Sequence, residues 1–421
     1  MNPNDDAEDA GTKALKFILL TQYYVPEPGA ASLRLEAMAQ QLVRHGHEVT
    51  VVTAHAHHLG AKRTVSGREA LWLQETVRGI PVVRTWIWRV PTGRFWMRLL
   101  NYFSFVVTSF FALLKMGRAD YVIVESPPLF LGITAWLYGA LFGVPYILSV
   151  SDLWPESAVA LGLVTNRMLI RLTEGLEHFL YRHAAFVSGV TEGIREGVIQ
   201  TGAISSQRVL FFPNGVDTAV FRRLEPDESL AARLAPRHQR LFLYPGTMGY
   251  AQGLDIIIDA AVVLRDREDI RFVLVGEGPV REHLMRRARE LGLANVLFDP
   301  LQPVERMSDY FSLARAVVVP LKRHRLFRGA RPSKIFPAWA AQAPVIYCGE
   351  GEMSQLIEDA GGGLVVPPED GLALADAVRQ LADMDDADWE RMSRAGYDYV
   401  VSNYTWDRIS ERWLNGLQSE S

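Results

Sequence analysis

Two distant stretches of the chain repeat one order of elements: a buried strand, a glycine-bearing loop, an amphipathic helix and a second strand. The first runs from Lys16-Phe-Ile-Leu-Leu20 through Pro26-Glu-Pro-Gly29 and a helix near Ser32–Arg44 to Glu48-Val-Thr-Val-Val52. The second runs from Leu241-Phe-Leu-Tyr244 through Gly246-Thr-Met-Gly249 and a helix near Leu254–Leu264 to Arg271-Phe-Val-Leu-Val275. A strand–helix–strand crossover joins parallel strands, so the repetition predicts an α/β chain of two Rossmann-like domains with a cleft between them. Each loop leaves backbone N–H groups at a helix N-terminus, and an anion is the expected occupant of that cleft. The expected organisation is a disordered tail over 1–15, an N-terminal domain over 16–220 and a C-terminal domain over 221–400. A last helix within 401–421 is expected to pack back on the first domain.

A length of 421 residues suits two domains, and 49% hydrophobic against 22% charged residues suits two well-filled cores. The formal net charge of −4 argues against nucleic-acid binding. A lone cysteine, Cys348, excludes an intrachain disulfide and any multi-cysteine metal site. Met1–Thr12 is polar and acidic, unlike a signal or transit peptide. Ser126–Val150 carries no charge and has the length of a membrane span. Pro127-Pro128 and Gly143-Val-Pro145 divide it, however, and a helix followed by a buried parallel strand is expected.

The apolar stretch Leu99–Leu114 has unusual flanks. No acidic residue occurs between Glu75 and Asp120, whereas Arg78, Arg84, Arg89, Arg94, Arg98, Lys115 and Arg118 lie there with Trp86, Trp88, Phe95 and Trp96 interleaved. Such a composition fits an anionic membrane surface, with a core helix as the alternative. His55–Glu75 shows no period and reads as loop. In Arg171–His183 the residues Leu172, Leu176, Phe179 and Leu180 mark an apolar face, and Arg222–Arg240 reads as an interdomain linker.

The glycine loops lack the G-x-G-x-x-G spacing, and no Walker, nucleophile-elbow or H-E-x-x-H motif occurs. His55, His57 and His58 form no recognisable ligand set, and no metal is expected. The strongest chemical feature is Lys322-Arg-His-Arg-Leu-Phe-Arg-Gly-Ala-Arg-Pro-Ser-Lys334, within a span free of acids from Asp309 to Glu350. With Ser333 as N-cap of a following helix, this positive cluster would hold a diphosphate and stabilise it as a leaving group, unless the run is only a solvated loop. Gly276-Glu-Gly278 ends a strand at the crevice edge, where glycines admit a base or ribose and Glu277 accepts from a hydroxyl, or where the chain simply turns. Asp152 and Glu156 follow the strand Tyr146–Val150, placed to hold sugar hydroxyls or accept a proton, or to cap a helix.

These pieces together resemble the family 4 retaining glycosyltransferases of the GT-B fold. The matching segments are Gly29, His45-Gly-His-Glu-Val-Thr-Val-Val-Thr53, Asp152-Leu-Trp-Pro-Glu-Ser157, Pro213-Asn-Gly-Val-Asp217, Gly246-Thr-Met-Gly249, Gly276-Glu-Gly278, Pro332-Ser-Lys334 and Gly361–Asp370. The resemblance covers nearly the whole chain after the tail and is similar to the branch that builds bacterial surface polysaccharides, including N-acetylfucosaminyl transferases of O-antigen synthesis. It implies metal-independent, retaining transfer from a nucleotide sugar, expected to be a UDP-sugar, to a saccharide on a polyprenyl diphosphate lipid. It also implies a cytoplasmic protein, peripheral on the inner face of the plasma membrane.

The resemblance places the donor diphosphate near Gly246, Thr247, Gly249, Ser333, Arg331 and Lys334, its base near Gly276–Gly278, and Gly29 across from it. Asp152, Glu156, Arg331 and Lys334 are then the catalytic set. Two departures stand out. Gly329 and Pro337 occupy the places of the family's E-x7-E carboxylates, leaving Glu350 or Glu352 as substitutes for the ribose contact. No charge follows the Gly-Thr loop, so diphosphate neutralisation falls on the Lys322–Lys334 cluster. A non-catalytic nucleotide-sugar-binding homologue and a UDP-sugar epimerase of the same fold are the alternatives.

Overall fold

The structure, a computed structural model, describes residues 14–27, 29–55, 71–88, 95–156, 159 and 166–419, excepting the side chains of 95, 96, 98 and 326. The tail Met1–Thr12, Pro28, His57, His58, Arg89, Arg94 and Ser157 lie outside the described residues. The chain divides into two compact units. Unit 1 comprises 1–190, 194–211 and 413–421, and unit 2 comprises 191–193 and 212–412.

Unit 1 is built on β1 (Lys16–Leu20), β2 (Glu48–Ala54), β3 (Trp72–Val77), β4 (Ile80–Thr85), β5 (Tyr121–Ser126), β6 (Tyr146–Val150), β7 (Phe186–Gly189) and β8 (Val209–Phe211). These lie in the order β3-β4-β2-β1-β5-β6-β7-β8, parallel except for the antiparallel β3–β4 pair. The helices are α1 (Ala30–Arg44), α2 (Phe95–Met116), α3 (Leu131–Phe142), α4 (Arg167–His183) and α5 (Glu192–Gln200), the last beginning among residues that group with unit 2. Central strands read as unbroken apolar runs because helices cover both faces; Phe17–Leu20 and Tyr146–Val150 are buried throughout.

The charge-free stretch Ser126–Val150 is the tail of β5, helix α3 and strand β6, with Leu131, Ala135 and Tyr138 in the core. The loop expected over His55–Glu75 gives way to strand from Trp72 onward. Arg78 (φ 47°) and Gly79 (φ 85°) make a turn with two positive φ angles, the geometry that closes a tight antiparallel hairpin. Arg84 is no surface cation. It is buried in the hairpin, paired with Glu75 at 2.5 Å and donating to the Val25 carbonyl at 2.6 Å. The inward face of α4 is Thr173, Glu177, Leu180 and Tyr181, and Leu172 points outward. Leu176, Phe179 and Leu180 pack on the unit 1 core as the spacing predicts, and Glu177 and Tyr181, which satisfy each other, share that inward face.

Unit 2 contains β9 (Arg240–Pro245), β10 (Ile270–Val275), β11 (Val296–Asp299), β12 (Ala314–Pro320), β13 (Val345–Cys348) and β14 (Gly363–Val366). All are parallel, in the order β11-β10-β9-β12-β13-β14. This is the doubly wound order, and its strand direction of growth reverses between β9 and β12, where such sheets open a crevice at their carboxyl ends. In unit 1 the same reversal falls between β1 and β5. The remaining helices are α6 (Glu228–Leu234), α7 (Asp255–Val263), α8 (Arg281–Glu290), α9 (Met307–Leu313), α10 (Ile335–Ala340), α11 (Glu352–Ala360), α12 (Gly371–Asp383), α13 (Asp386–Asn403) and α14 (Trp406–Gln418).

The expected linker Arg222–Arg240 is part of this unit. Asp227 caps α6, accepting from the N–H groups of Ser229 and Leu230, and Arg233 clamps Asp299 at 2.6 and 3.0 Å. From Trp413 onward the chain groups with unit 1, where Trp413 Nε1 donates to Ser188 Oγ at 3.1 Å.

Candidate functional site

In unit 2 the loops leaving β9 and β10 are knitted together. Gly246 N–H donates to Val275 O and Met248 N–H to Glu277 O, both at 2.8 Å. Tyr244 Oη reaches the Thr247 carbonyl at 2.5 Å. Gly276 and Gly278 have φ of 144° and 154°, and a Cβ on either would collide with the carbonyl oxygen of Gly246 or Met248 respectively. Gly276→Ala is therefore expected to cost at least about 2 kcal/mol of unit 2 stability and to loosen both loops, a change measurable by denaturant unfolding. Glu277, two residues beyond the end of β10, is exposed and faces Arg281 at 3.6 Å.

Lys334 comes to this loop from the far side of the sheet's reversal. Its ammonium stands over the Tyr244 ring, 4.9 Å from the centroid, and its Cε and Nζ would meet a Cβ built on Gly246 at 3.1 and 3.5 Å. No carboxylate pairs with it among the described residues, and burial lowers its pKa to about 8. A half-buried ammonium without a carboxylate, lying against a glycine loop, is suited to an anionic ligand.

Other members of the basic run behave differently. Ser333 is exposed and does not cap α10; Lys334 occupies the N-cap position, and the helix is six residues long. Arg331 is committed. It pairs with Glu352, donates to Tyr404 Oη at 3.0 Å and stacks over that ring at 5.5 Å. The pair is buried, at 5% and 17% side-chain exposure, and Glu352 also accepts from the N–H groups of Glu192 and Gly193 at 3.1 Å. The positive charge expected of Arg331 is thus already balanced, because a buried guanidinium requires a carboxylate. Glu350 is held more loosely, 3.5 Å from each of Arg323 and Arg328.

A hollow of about 680 Å³ elsewhere in unit 2 is lined by Asp259, Glu369, Asp370 and Arg323. Three carboxylates against one arginine make it a poor diphosphate site, despite its size.

In unit 1, Gly29 (φ 150°) occupies the N-cap position of α1. Arg34, on the inward face of α1, donates to Glu125 Oε1 and to Ser151 Oγ, both at 2.6 Å. Glu125 is the penultimate residue of β5 and Ser151 follows β6, so this buried group holds the start of the segment Ser151–Glu156. Asp152 and Glu156 are exposed, and Trp154 packs edge-on to Phe130 at 5.8 Å. Beneath the segment lies Glu177, whose carboxyl is pushed up to about 7 by burial and further by Glu156 and Glu174, against the opposing hydrogen bond from Tyr181.

Because the folded carboxyl titrates above its unfolded value, its contribution to stability is full below about pH 4.5 and is lost as pH rises through about 7. Glu177→Gln is expected to flatten the stability profile across that window, by up to about 3 kcal/mol in unfolding experiments.

Sequence reasoning missed Arg34, Glu125, Glu177 and Tyr181. A usable signal existed for Arg34, a charge on the inward face of the α1 period, immediately before Leu35 and one turn before Met38.

Residues 29–215 match the family described as glycosyl transferase 4-like domain, and residues 239–384 match the glycosyl transferases group 1 family. A putative colanic acid biosynthesis glycosyl transferase of Escherichia coli (strain K12), WcaI, is 28% identical over 382 residues, covering 87% of this chain and 92% of that one. The O-antigen chain mannosyltransferase C of Escherichia coli is 33% identical over 147 residues, covering 33% and 36%. Among solved structures, sucrose-phosphate synthase from Thermosynechococcus elongatus superposes with a TM-score of 0.73 at 19% identity, over 97% of this chain and 100% of that one. Anabaena HepE in complex with UDP and glucose gives 0.71 at 16% identity, over 96% and 100%. The doubly wound order of both sheets, the glycine loops and these matches lead to one conclusion: the chain belongs to the family 4 glycosyltransferases of the GT-B fold.

Proposed function

We propose that this glycosyltransferase moves a sugar, of the hexosyl or N-acetylhexosaminyl class, from a UDP-sugar to a saccharide carried on a polyprenyl diphosphate lipid. Transfer proceeds with retention and without a metal, as a step in bacterial surface polysaccharide synthesis at the cytoplasmic face of the plasma membrane. The observation that carries the reading is Lys334, an ammonium with no carboxylate partner among the described residues, set against the Gly246 loop at the sheet reversal of unit 2. In this reading Gly246, Thr247 and Gly249 line the diphosphate with Lys334, and Gly276–Gly278 line the base. The ribose contact falls to Glu350, since Glu352 is tied to Arg331. Asp152 and Glu156 meet the acceptor. The WcaI and O-antigen relatives support the polysaccharide setting, and the UDP complex of HepE supports the donor.

Incubating the protein with UDP-, GDP- and dTDP-sugars and membrane lipid extract tests this. Release of free UDP only when donor and lipid acceptor are both present supports transfer. The absence of Glu at Gly329 and Pro337 favours one competitor, a nucleotide-sugar-binding homologue without turnover. That protein would show a donor-dependent rise in melting temperature and release no UDP under any condition.

A further inference from the structure

Helix α2 is 22 residues long and apolar, yet only 28% of its Leu99–Met116 window is buried. Its inward side is fully used. Phe105, Ala112 and Leu113 enter the unit 1 core, and Asn101 exchanges hydrogen bonds with Gln22 at 2.7 Å and the Trp88 carbonyl at 2.8 Å. A helix docked on β2, β4 and α3 in this way cannot cross a bilayer.

Its outward side is the unusual one. Leu100, Phe103, Val107, Phe111 and Leu114 are between 37% and 56% exposed. At 3.6 residues per turn they fall on a single stripe, roughly 21 Å long. Trp88 is exposed as well. Lys115, resting over Trp72 at 4.1 Å, and Arg118 are exposed at the C-terminal end of the stripe. A second copy packed in parallel on this stripe would set Lys115 and Arg118 against their own counterparts, whereas an anionic lipid surface would neutralise them. One aromatic row leaves the stripe inward: Phe103 touches Phe130 with ring centroids 4.8 Å apart, and Phe130 touches Trp154 at 5.8 Å. Trp154 stands between Asp152 and Glu156 in sequence.

We propose that the outward stripe of α2 seats in the hydrocarbon edge of an anionic bilayer, and that the Phe103–Phe130–Trp154 row receives the hydrocarbon chain of a membrane-borne acceptor. Attachment is then mainly apolar, with the end cations as a secondary attraction, in contrast to binding by an arginine-covered surface. The second half of the proposal rests on the lipid-linked acceptor reading; the first half does not.

Cosedimentation of the full chain with vesicles of phosphatidylcholine, with and without phosphatidylglycerol, tests the stripe. The wild type is expected to pellet with the mixed vesicles and to remain largely bound in high salt. Val107→Glu/Phe111→Glu is expected to lower partitioning at least about tenfold, because two large apolar side chains lose their burial. A UDP-induced thermal shift equal to wild type in that variant shows an intact fold and keeps the result separate from any failure of the donor assignment. Vesicles doped with a polyisoprenyl phosphate are expected to bind wild type more tightly and Phe130→Ala no more tightly than undoped ones. The proposal is overturned by a wild type that stays in the supernatant, by equal partitioning of the double variant, or by a wild-type dimer that the double variant splits. An unchanged response of Phe130→Ala to the doped vesicles overturns the aromatic row.

Discussion

Replacing Lys334 with methionine is expected to lower turnover about 10²- to 10³-fold, the usual loss when one electrostatic partner of a developing anion is removed. The same change is expected to raise the melting temperature of the unliganded protein. Both effects follow from one fact, that the ammonium is held where burial lowers its pKa to about 8 from 10.5. A lysine whose folded pKa lies below its unfolded value binds fewer protons in the native state, so its charge costs stability below about pH 8 and the cost disappears as pH rises toward 10.5. Relief of that cost is worth up to about 3 kcal/mol at neutral pH, offset by about 1 kcal/mol for the lost contact with the Tyr244 ring.

A purely structural lysine would give the opposite stability result, so thermal denaturation and turnover together decide the matter. In the wild type, kcat/KM for the donor is expected to fall as pH passes through about 8, when the free enzyme loses the proton that attracts the diphosphate. The profile for Lys334→Arg should lack that fall, since guanidinium stays charged.

Removing one partner of the Arg331–Glu352 pair is expected to cost about 3–5 kcal/mol, the typical result of stranding a buried charge. Glu352→Gln strands the guanidinium, and Arg331→Ala strands a carboxylate left with the backbone N–H groups of Glu192 and Gly193. The double variant Arg331→Leu/Glu352→Leu should cost less than the two single changes summed, because neither charge is left behind. Urea unfolding of wild type, Arg331→Leu, Glu352→Leu and the double variant measures the coupling directly. Turnover of Arg331→Ala is expected to drop in step with its folded fraction and to recover at lower temperature. A deficit that persists in fully folded Arg331→Ala would return Arg331 to the diphosphate.

These two residues show how far residue order carries. The run Lys322–Lys334 is visibly basic, and its link to a glycine loop follows from the doubly wound pattern. Nothing in that run separates Lys334 from Arg331. The separation arises because Glu352, twenty-one positions away, comes within ion-pair distance of one and not the other. In unit 1 the segment Asp152–Glu156 was readable at the end of an apolar strand. The Arg34–Glu125–Ser151 group that holds it draws on three distant elements and has no local signature. Arg84 makes the same point in reverse: its neighbours in sequence suggested a membrane-facing cation, and a hairpin partner, Glu75, placed it in the interior.

The alternation of apolar strands with amphipathic helices determined by itself that this chain forms two α/β domains, where glycine loops meet helix starts, and which stretches look too apolar for solvent. Those properties depend on neighbours three or four residues apart, or on a strand's next residue but one, and local order suffices to encode them. Tertiary structure alone decided which charges are neutralised, that Arg331 and not Lys334 is paired with a carboxylate among the described residues, and which side of α2 is exposed. Each of those outcomes is set by desolvation and by partners brought from far along the chain, and burial has no value until the fold supplies the second surface.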